Sequence, residues 1–334
     1  VEEGFRLWAN PSSPHAEGRK ARSALEDARE RIKAALGWEG ELIFTSGASE
    51  ALAIAFGRAK VERRFALSIE HDAVFRVAPD AELIPVRDGW LSNDDLKLVA
   101  ADGRRALLAI QHVNSETGIT IAPARGLGVF DRVRERGHLV LSDCAQSAGK
   151  LALPDCDLAV ASAHKFGGPV GIGALLVRDF ADLEPEGGHE RGYRQGTENL
   201  PGALGMAVAI ECASRAPIDA AAIARLDEMA YEVRATGGEW LAEFLAPSVP
   251  YIRAIAMPRL SGSAQVMRFD MAGISVSQGS ACSSGTMKPS RVLEAIGVER
   301  DVAERTIRVS LGWNTTSEEV QRFCEVWLEM ARTS

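Results

Sequence analysis

The chain has 334 residues, 46% of them hydrophobic and 25% charged, with a formal net charge of -8. That length holds one large unit of roughly 200 residues and a smaller one, and the composition excludes a disordered or fibrous chain. The acidic balance argues against a nucleic-acid partner, which needs clustered Lys and Arg; no apolar run approaches the roughly 20 residues that cross a bilayer.

The start, Val1-Glu2-Glu3, is unlike a signal or transit peptide, so a cytoplasmic protein without a membrane partner is expected. Ser13-Pro14 opens a helix whose Ala21, Leu25, Ala28, Ile32 and Leu36 share one face, and Gly37 ends it. Short apolar runs at 41–45, 65–69, 105–113, 139–144, 158–163 and 172–178 read as strands, with helices at 49–60, 92–101 and 124–136 among them. This alternation predicts a mostly parallel sheet covered by helices on both faces, with ligands at the carboxyl ends of its strands. After a helix near 201–213, Arg215-Ala216-Pro217 breaks the pattern and sets a boundary between residues 1–215 and 216–334. The second part reads as a long helix over 220–245, strands at 251–257, 264–269 and 306–310, and helices at 289–296 and 317–331, which makes a small α+β unit.

Phe44-Thr45-Ser46-Gly47-Ala48-Ser49-Glu50 joins a strand to a helix; Gly47 lets the chain turn, and the helix start offers free N–H groups to an anion such as phosphate. Helix capping alone would also explain this turn. Asp143 ends one apolar strand and Lys165 follows the next, so an acid and an amine face one crevice. Pyridoxal phosphate (PLP) demands such a pair: the lysine condenses with its aldehyde, and the carboxylate keeps its pyridine nitrogen protonated. A solvated lysine and a capping aspartate are the plainer alternative. Five cysteines, Cys144, Cys156, Cys212, Cys282 and Cys324, form no C-x-x-C pair and read as reduced thiols. Four lie in or beside apolar segments as small buried side chains. Cys282 lies instead in Gln278-Gly279-Ser280-Ala281-Cys282-Ser283-Ser284-Gly285, a stretch of small residues expected to be an exposed loop. His112 and His138 have no metal-ligand spacing and read as packing or surface residues.

Nine motifs occur in order: Asn10-Pro11-Ser12-Ser13-Pro14-His15, the 44–50 turn, Glu70-His71, Asn114-Ser115-Glu116-Thr117-Gly118, Asp143-Cys144-Ala145-Gln146, Ser162-Ala163-His164-Lys165-Phe166-Gly167-Gly168-Pro169, Arg194-Gln195-Gly196-Thr197-Glu198-Asn199, Gly279 to Ser284, and Ile307-Arg308-Val309-Ser310-Leu311-Gly312. From about Asn10 to Phe323 the chain closely resembles the NifS and IscS type cysteine desulfurases, class V aminotransferases of the fold type I PLP enzymes. The resemblance implies an α/β fold whose large domain holds a mostly parallel seven-stranded sheet, with a small α+β C-terminal domain carrying Cys282. It implies that Lys165 binds PLP covalently, Asp143 pairs with the ring nitrogen, His71 stacks on the ring and Gln146 bonds its hydroxyl. Ala48, Ser49, Ser162 and His164 would hold the phosphate, with Thr197 of a partner subunit, hence a homodimer. Arg308 would clamp the carboxylate of L-cysteine, a task suited to its planar fork, helped by Asn10. Cys282 would take the sulfur as a persulfide, leave alanine and pass the sulfur to an acceptor protein, with His71 carrying protons.

Five features depart from the family pattern, one of them the stretch Tyr251 to Met257, which lacks the usual Asn-Thr. Family members usually begin earlier, with a segment containing Asn-Ala-Thr-Thr-Pro that lines the site. Ser115 stands for an Asn that contacts the ring, and that role is not carried over. Ser49 replaces the commoner Thr but keeps a hydroxyl, and Val170 stands where Lys or Arg is common. Rival readings are selenocysteine lyase or another class V PLP reaction, and a non-catalytic scaffold for sulfur transfer.

Overall fold

The computed structural model describes residues 1–7, 9–121, 129–213, 215, 217–245, 247–279 and 290–333. Seven strands, β1 (Glu41–Thr45), β2 (Arg63–Leu67), β3 (Glu82–Ile84), β4 (Ala106–Gln111), β5 (Leu139–Asp143), β6 (Leu158–Ser162) and β7 (Gly173–Val177), form one sheet in the order β1-β7-β6-β5-β4-β2-β3. β6, β5, β4, β2 and β3 pair in parallel, and β7 runs antiparallel to both its neighbours. The fold is thus the α/β class with a mostly parallel seven-stranded sheet that the motifs imply. One consequence fixes the site: Thr45, Asp143, Ser162 and Gln111 all end their strands on the same edge.

Both sheet faces are apolar, as a sheet between helix layers requires. On one face Phe44, Leu108, Val140 and Ala161 join Ala21, Leu25, Ala28 and Ile32 of the helix Ala16–Leu36 in one core. On the other, Ile43, Leu107, Leu141 and Val160 meet Ala51, Leu52, Ala55 and Phe56 of the helix Ala48–Arg58. Neighbouring residues of each strand divide between the two clusters, which is the two-residue period of a pleated strand. That both sets are apolar explains why the strands read as continuous runs.

A second sheet, order β10-β9-β8, is antiparallel and comprises β8 (Glu239–Trp240), β9 (Ile252–Ala256) and β10 (Thr306–Ser310). Its core includes Leu226 and Val233 from the helix Ala220–Ala235, Phe269, and Trp327 from the helix Ser317–Thr333. Two expectations need correction here. Residues 264–269 are no strand but part of the helix Gly262–Met271: Ser261 caps it through the N–H of Ala264, and its buried Gly262, Gln265 and Phe269 follow helical spacing. The long helix stops at Ala235 rather than 245, because Thr236 and the left-handed Gly237 turn the chain into β8. The helix expected over 124–136 is seen at Val129–Arg134, and its start lies outside the described residues. β3 and the short helix Asp72–Val77 are additions that the sequence pattern does not predict.

Candidate active site

A cleft of about 450 Å³ opens at the strand ends, lined among others by Ala48, Ser49, His71, Gln146, Lys165 and Arg308. Asp143, Ser162 and His164 line it too, so nine of the twelve candidate residues converge there. Asn10 and Thr197 do not: both are exposed, the Asn10 carbonyl oxygen of the side chain accepts the Ser12 N–H at 2.9 Å, and the Thr197 main-chain carbonyl accepts from Arg194. Cys282 lies outside the described residues. A larger cleft of about 780 Å³ beside Phe166, Val208 and Trp313 is mostly apolar and gathers no comparable set of polar groups.

Each cleft residue is placed by a local feature of the chain. Gly47 stands at the N-cap of the helix Ala48–Arg58 and supplies no side-chain acceptor, which leaves the first-turn N–H groups of Ala48 and Ser49 for a ligand. Gly173, which starts β7, must be a glycine, because a Cβ there would lie 2.7 Å from the backbone of Gly47. Across this turn the Ser162 hydroxyl and His164 Nδ1 are hydrogen-bonded at 2.9 Å. Lys165 sits in the 3-10 turn Ala163–Phe166, which the left-handed Gly167 closes. An anion at the helix start would therefore meet N–H groups, a hydroxyl and an imidazole together.

Asp143 is half-buried at the end of β5 and accepts the Ala145 N–H at 2.9 Å. Burial pushes its carboxyl above the usual range, opposed by that hydrogen bond and by His71 and Lys165. His71 caps the helix Asp72–Val77, its Nδ1 accepting the Ala73 N–H at 3.1 Å, so the neutral ring carries its proton on Nε2. Burial lowers its pKa, with Asp143 acting the other way. The main-chain carbonyl of Gln146 accepts from the Tyr251 hydroxyl at 3.1 Å, and the Lys150 amine lies over the Tyr251 ring. Arg308 comes from β10, and its Nη1 donates to the Ser115 carbonyl at 2.9 Å. Nearby, buried Glu116 accepts a short hydrogen bond from the Ser290 hydroxyl.

Sequence reasoning misses the residues that stand behind this lining. Tyr251 lies in a stretch that reads only as a strand, and Glu70 stands in a motif without a task. For Glu70 a signal exists: a glutamate beside a histidine just past a strand that ends at the ligand edge. For Tyr251 there is none, because its partner is a carbonyl 105 residues away. Among the described residues no cluster of His, Cys, Asp and Glu is arranged to hold a metal, and no helix is long and apolar enough to cross a membrane.

Comparison with known proteins follows the same lines. The family Aminotransferase class-V matches residues 5–323. A cysteine desulfurase of Cereibacter sphaeroides is 35% identical, covering 96% of this chain and 87% of its own. Among solved structures, a NifS-like protein superposes with a TM-score of 0.82 at 29% identity, over 100% of this chain and 95% of its own. SspA, solved in complex with cysteine, gives a TM-score of 0.71 at 28% identity over 95% and 96%.

Proposed function

The chain belongs to the class V aminotransferase family, and from that premise we propose that it is a PLP-dependent cysteine desulfurase, converting L-cysteine to L-alanine and passing the sulfur through Cys282. The observation that carries this reading is the meeting of Lys165, Asp143 and the glycine-capped helix start in one cleft. The residues present fit the cofactor: open N–H groups for a phosphate, a carboxylate for a ring nitrogen and an amine for an aldehyde. The likeness to relatives named for this activity supports the same reading.

When bound, PLP supplies an electron sink that stabilises negative charge at the substrate α carbon. The chain's own residues do the rest. The N–H groups of Ala48 and Ser49, with Ser162 and His164, hold the phosphate. Asp143 would keep a proton on the ring nitrogen, Gln146 would bond the ring hydroxyl and His71 would hold the ring face. Lys165 would hold the cofactor through its amine, and its Nζ would move the substrate's α proton. Arg308, which lines the cleft where Asn10 does not, would grip the substrate carboxylate. Cys282, as thiolate, attacks the substrate sulfur: an S–S bond forms, the C–S bond breaks with its electron pair on carbon, and protonation there gives alanine. His71, neutral with a proton on Nε2, carries that proton. Thr197 serves a partner subunit's cofactor in a homodimer, and a carrier protein takes the sulfur in the cytoplasm. The chain divides at 215/216, so that the smaller unit contributes Arg308 and Cys282.

Incubating the PLP-loaded protein with L-cysteine and a thiol reductant tests this directly. Equal sulfide and alanine, lost in both Cys282→Ser and Lys165→Ala, is the expected result. Bound cofactor without turnover would overturn it in favour of another amino-acid substrate or a scaffold, and selenocysteine as sole substrate would make the protein a lyase for that amino acid.

A further inference from the structure

Glu70 stands one layer behind the cleft and takes no part in the chemistry above. The pairing of β2 with β4 ends at Ala66 and Ala109, where the chain turns away and the Glu70 N–H closes on the Leu67 carbonyl at 3.1 Å. β4 runs on, so the N–H of Gln111 meets no strand. Glu70 Oε1 accepts it instead, at 2.6 Å. The Ile69 carbonyl likewise accepts from the side chains of Gln111 at 2.7 Å and Asn114 at 3.2 Å. Gln111 is the register partner of Asp143 on β5, and both line the cleft. The Glu70 carboxyl thus pins the strand end against which Asp143 is set.

The same carboxyl has no exposed surface, and its Oε2 has no hydrogen-bond partner among the described residues. Two charged side chains face it, Asp143 from β5 and Arg291 from the helix Arg291–Ala295, while His71 follows it in the chain. The Arg291 guanidinium donates to the main-chain carbonyls of Ser68 and Glu70 rather than to the carboxyl. A fully buried carboxyl that faces a second carboxylate is held toward its neutral form. Asp143 has the compensation, from the Ala145 N–H, His71 and Lys165. Burial and Asp143 together push Glu70 up to about 8, in keeping with this division.

We propose that Glu70 is a positioning residue that holds a neutral carboxyl behind the cleft, fixing Gln111 at the end of β4 and leaving Asp143 as the single negative charge offered to the cofactor's ring nitrogen. This rests on the cofactor assignment above. Glu70→Gln keeps the shape and the acceptor without an ionisable proton, and Glu70→Ala removes both. At neutral pH the infrared difference between wild type and Glu70→Gln shows the C=O stretch of a protonated carboxyl. The wild-type cofactor absorption changes as pH rises through about 8, and Glu70→Gln abolishes that change. PLP affinity stays within about threefold in Glu70→Gln and falls about tenfold in Glu70→Ala, the ordinary consequence of an orphaned buried N–H. No protonated-carboxyl stretch, or pH profiles that superimpose in wild type and Glu70→Gln, would overturn the proposal. A wild type that binds no PLP would sink the functional reading itself, while the infrared comparison, made without cofactor, still decides whether Glu70 is neutral.

Discussion

At the ligand edge of the seven-stranded sheet, Glu70 is fully buried and Asp143 half-buried, and desolvation raises the pKa of both acids. The three-stranded sheet instead carries two guanidiniums that keep acceptors: Arg253 bonded to Asp227 at 2.9 Å, and Arg308 to the Ser115 carbonyl. The difference shows how the cleft is divided. A sheet covered on both faces holds acids cheaply only as neutral groups or beside a compensating cation. A guanidinium reaches the cleft from a strand of the other sheet, whose Arg308 is half-buried.

The largest effect expected from breaking this arrangement is at the large sheet. Lys165→Ala should lower turnover by about a thousandfold or more, the scale of losing a positioned proton carrier, read as alanine formed per active site. Next comes a pH effect at the same edge. His112, hydrogen-bonded to the Ser147 hydroxyl at 2.8 Å, is held by burial down to about 4. Because the unfolded chain binds that proton near 6.5, the stabilisation is complete above 6.5 and is lost as pH falls toward 4. The loss should reach roughly 3 kcal/mol, and His112→Gln should flatten the decline in melting temperature between those pH values.

The small sheet's contribution is tested by Arg308→Lys, which keeps the charge but not the planar fork. It should raise KM for L-cysteine by roughly 10- to 100-fold while bound-cofactor absorption stays unchanged. An unchanged KM would mean that the second sheet does not hold the substrate. The smallest effect is at the link between the two regions: Tyr251→Phe removes the hydroxyl bonded to the Gln146 carbonyl, and thermal unfolding should show a loss of about 1 kcal/mol.

Much of the site is legible in the chain itself. Asp143 and Lys165 each follow an apolar run, and the parallel-sheet pattern alone sends such residues to one edge. Gly47 and Ser49 are legible because a strand-to-helix turn is local. The segment 264–269 misleads because a short apolar run does not separate strand from helix; the cap at Ser261 and the pocket filled by Phe269 decide it. Glu70 is visible as a residue but not as a buried one, since burial is set by parts of the chain distant in sequence, such as Gln111, whose N–H its carboxyl accepts.

Fold class, family and the identity of the cleft's acid, amine and glycine-led turn are each written in a local period or a contiguous motif of the chain. Tertiary packing sets the burial of the Glu70 carboxyl, the reach of Arg308 to Ser115 across 193 residues and the tie from Tyr251 to Gln146. These depend on distance through space, and the cost of removing a charge from water is set by what surrounds it rather than by its neighbours in the chain.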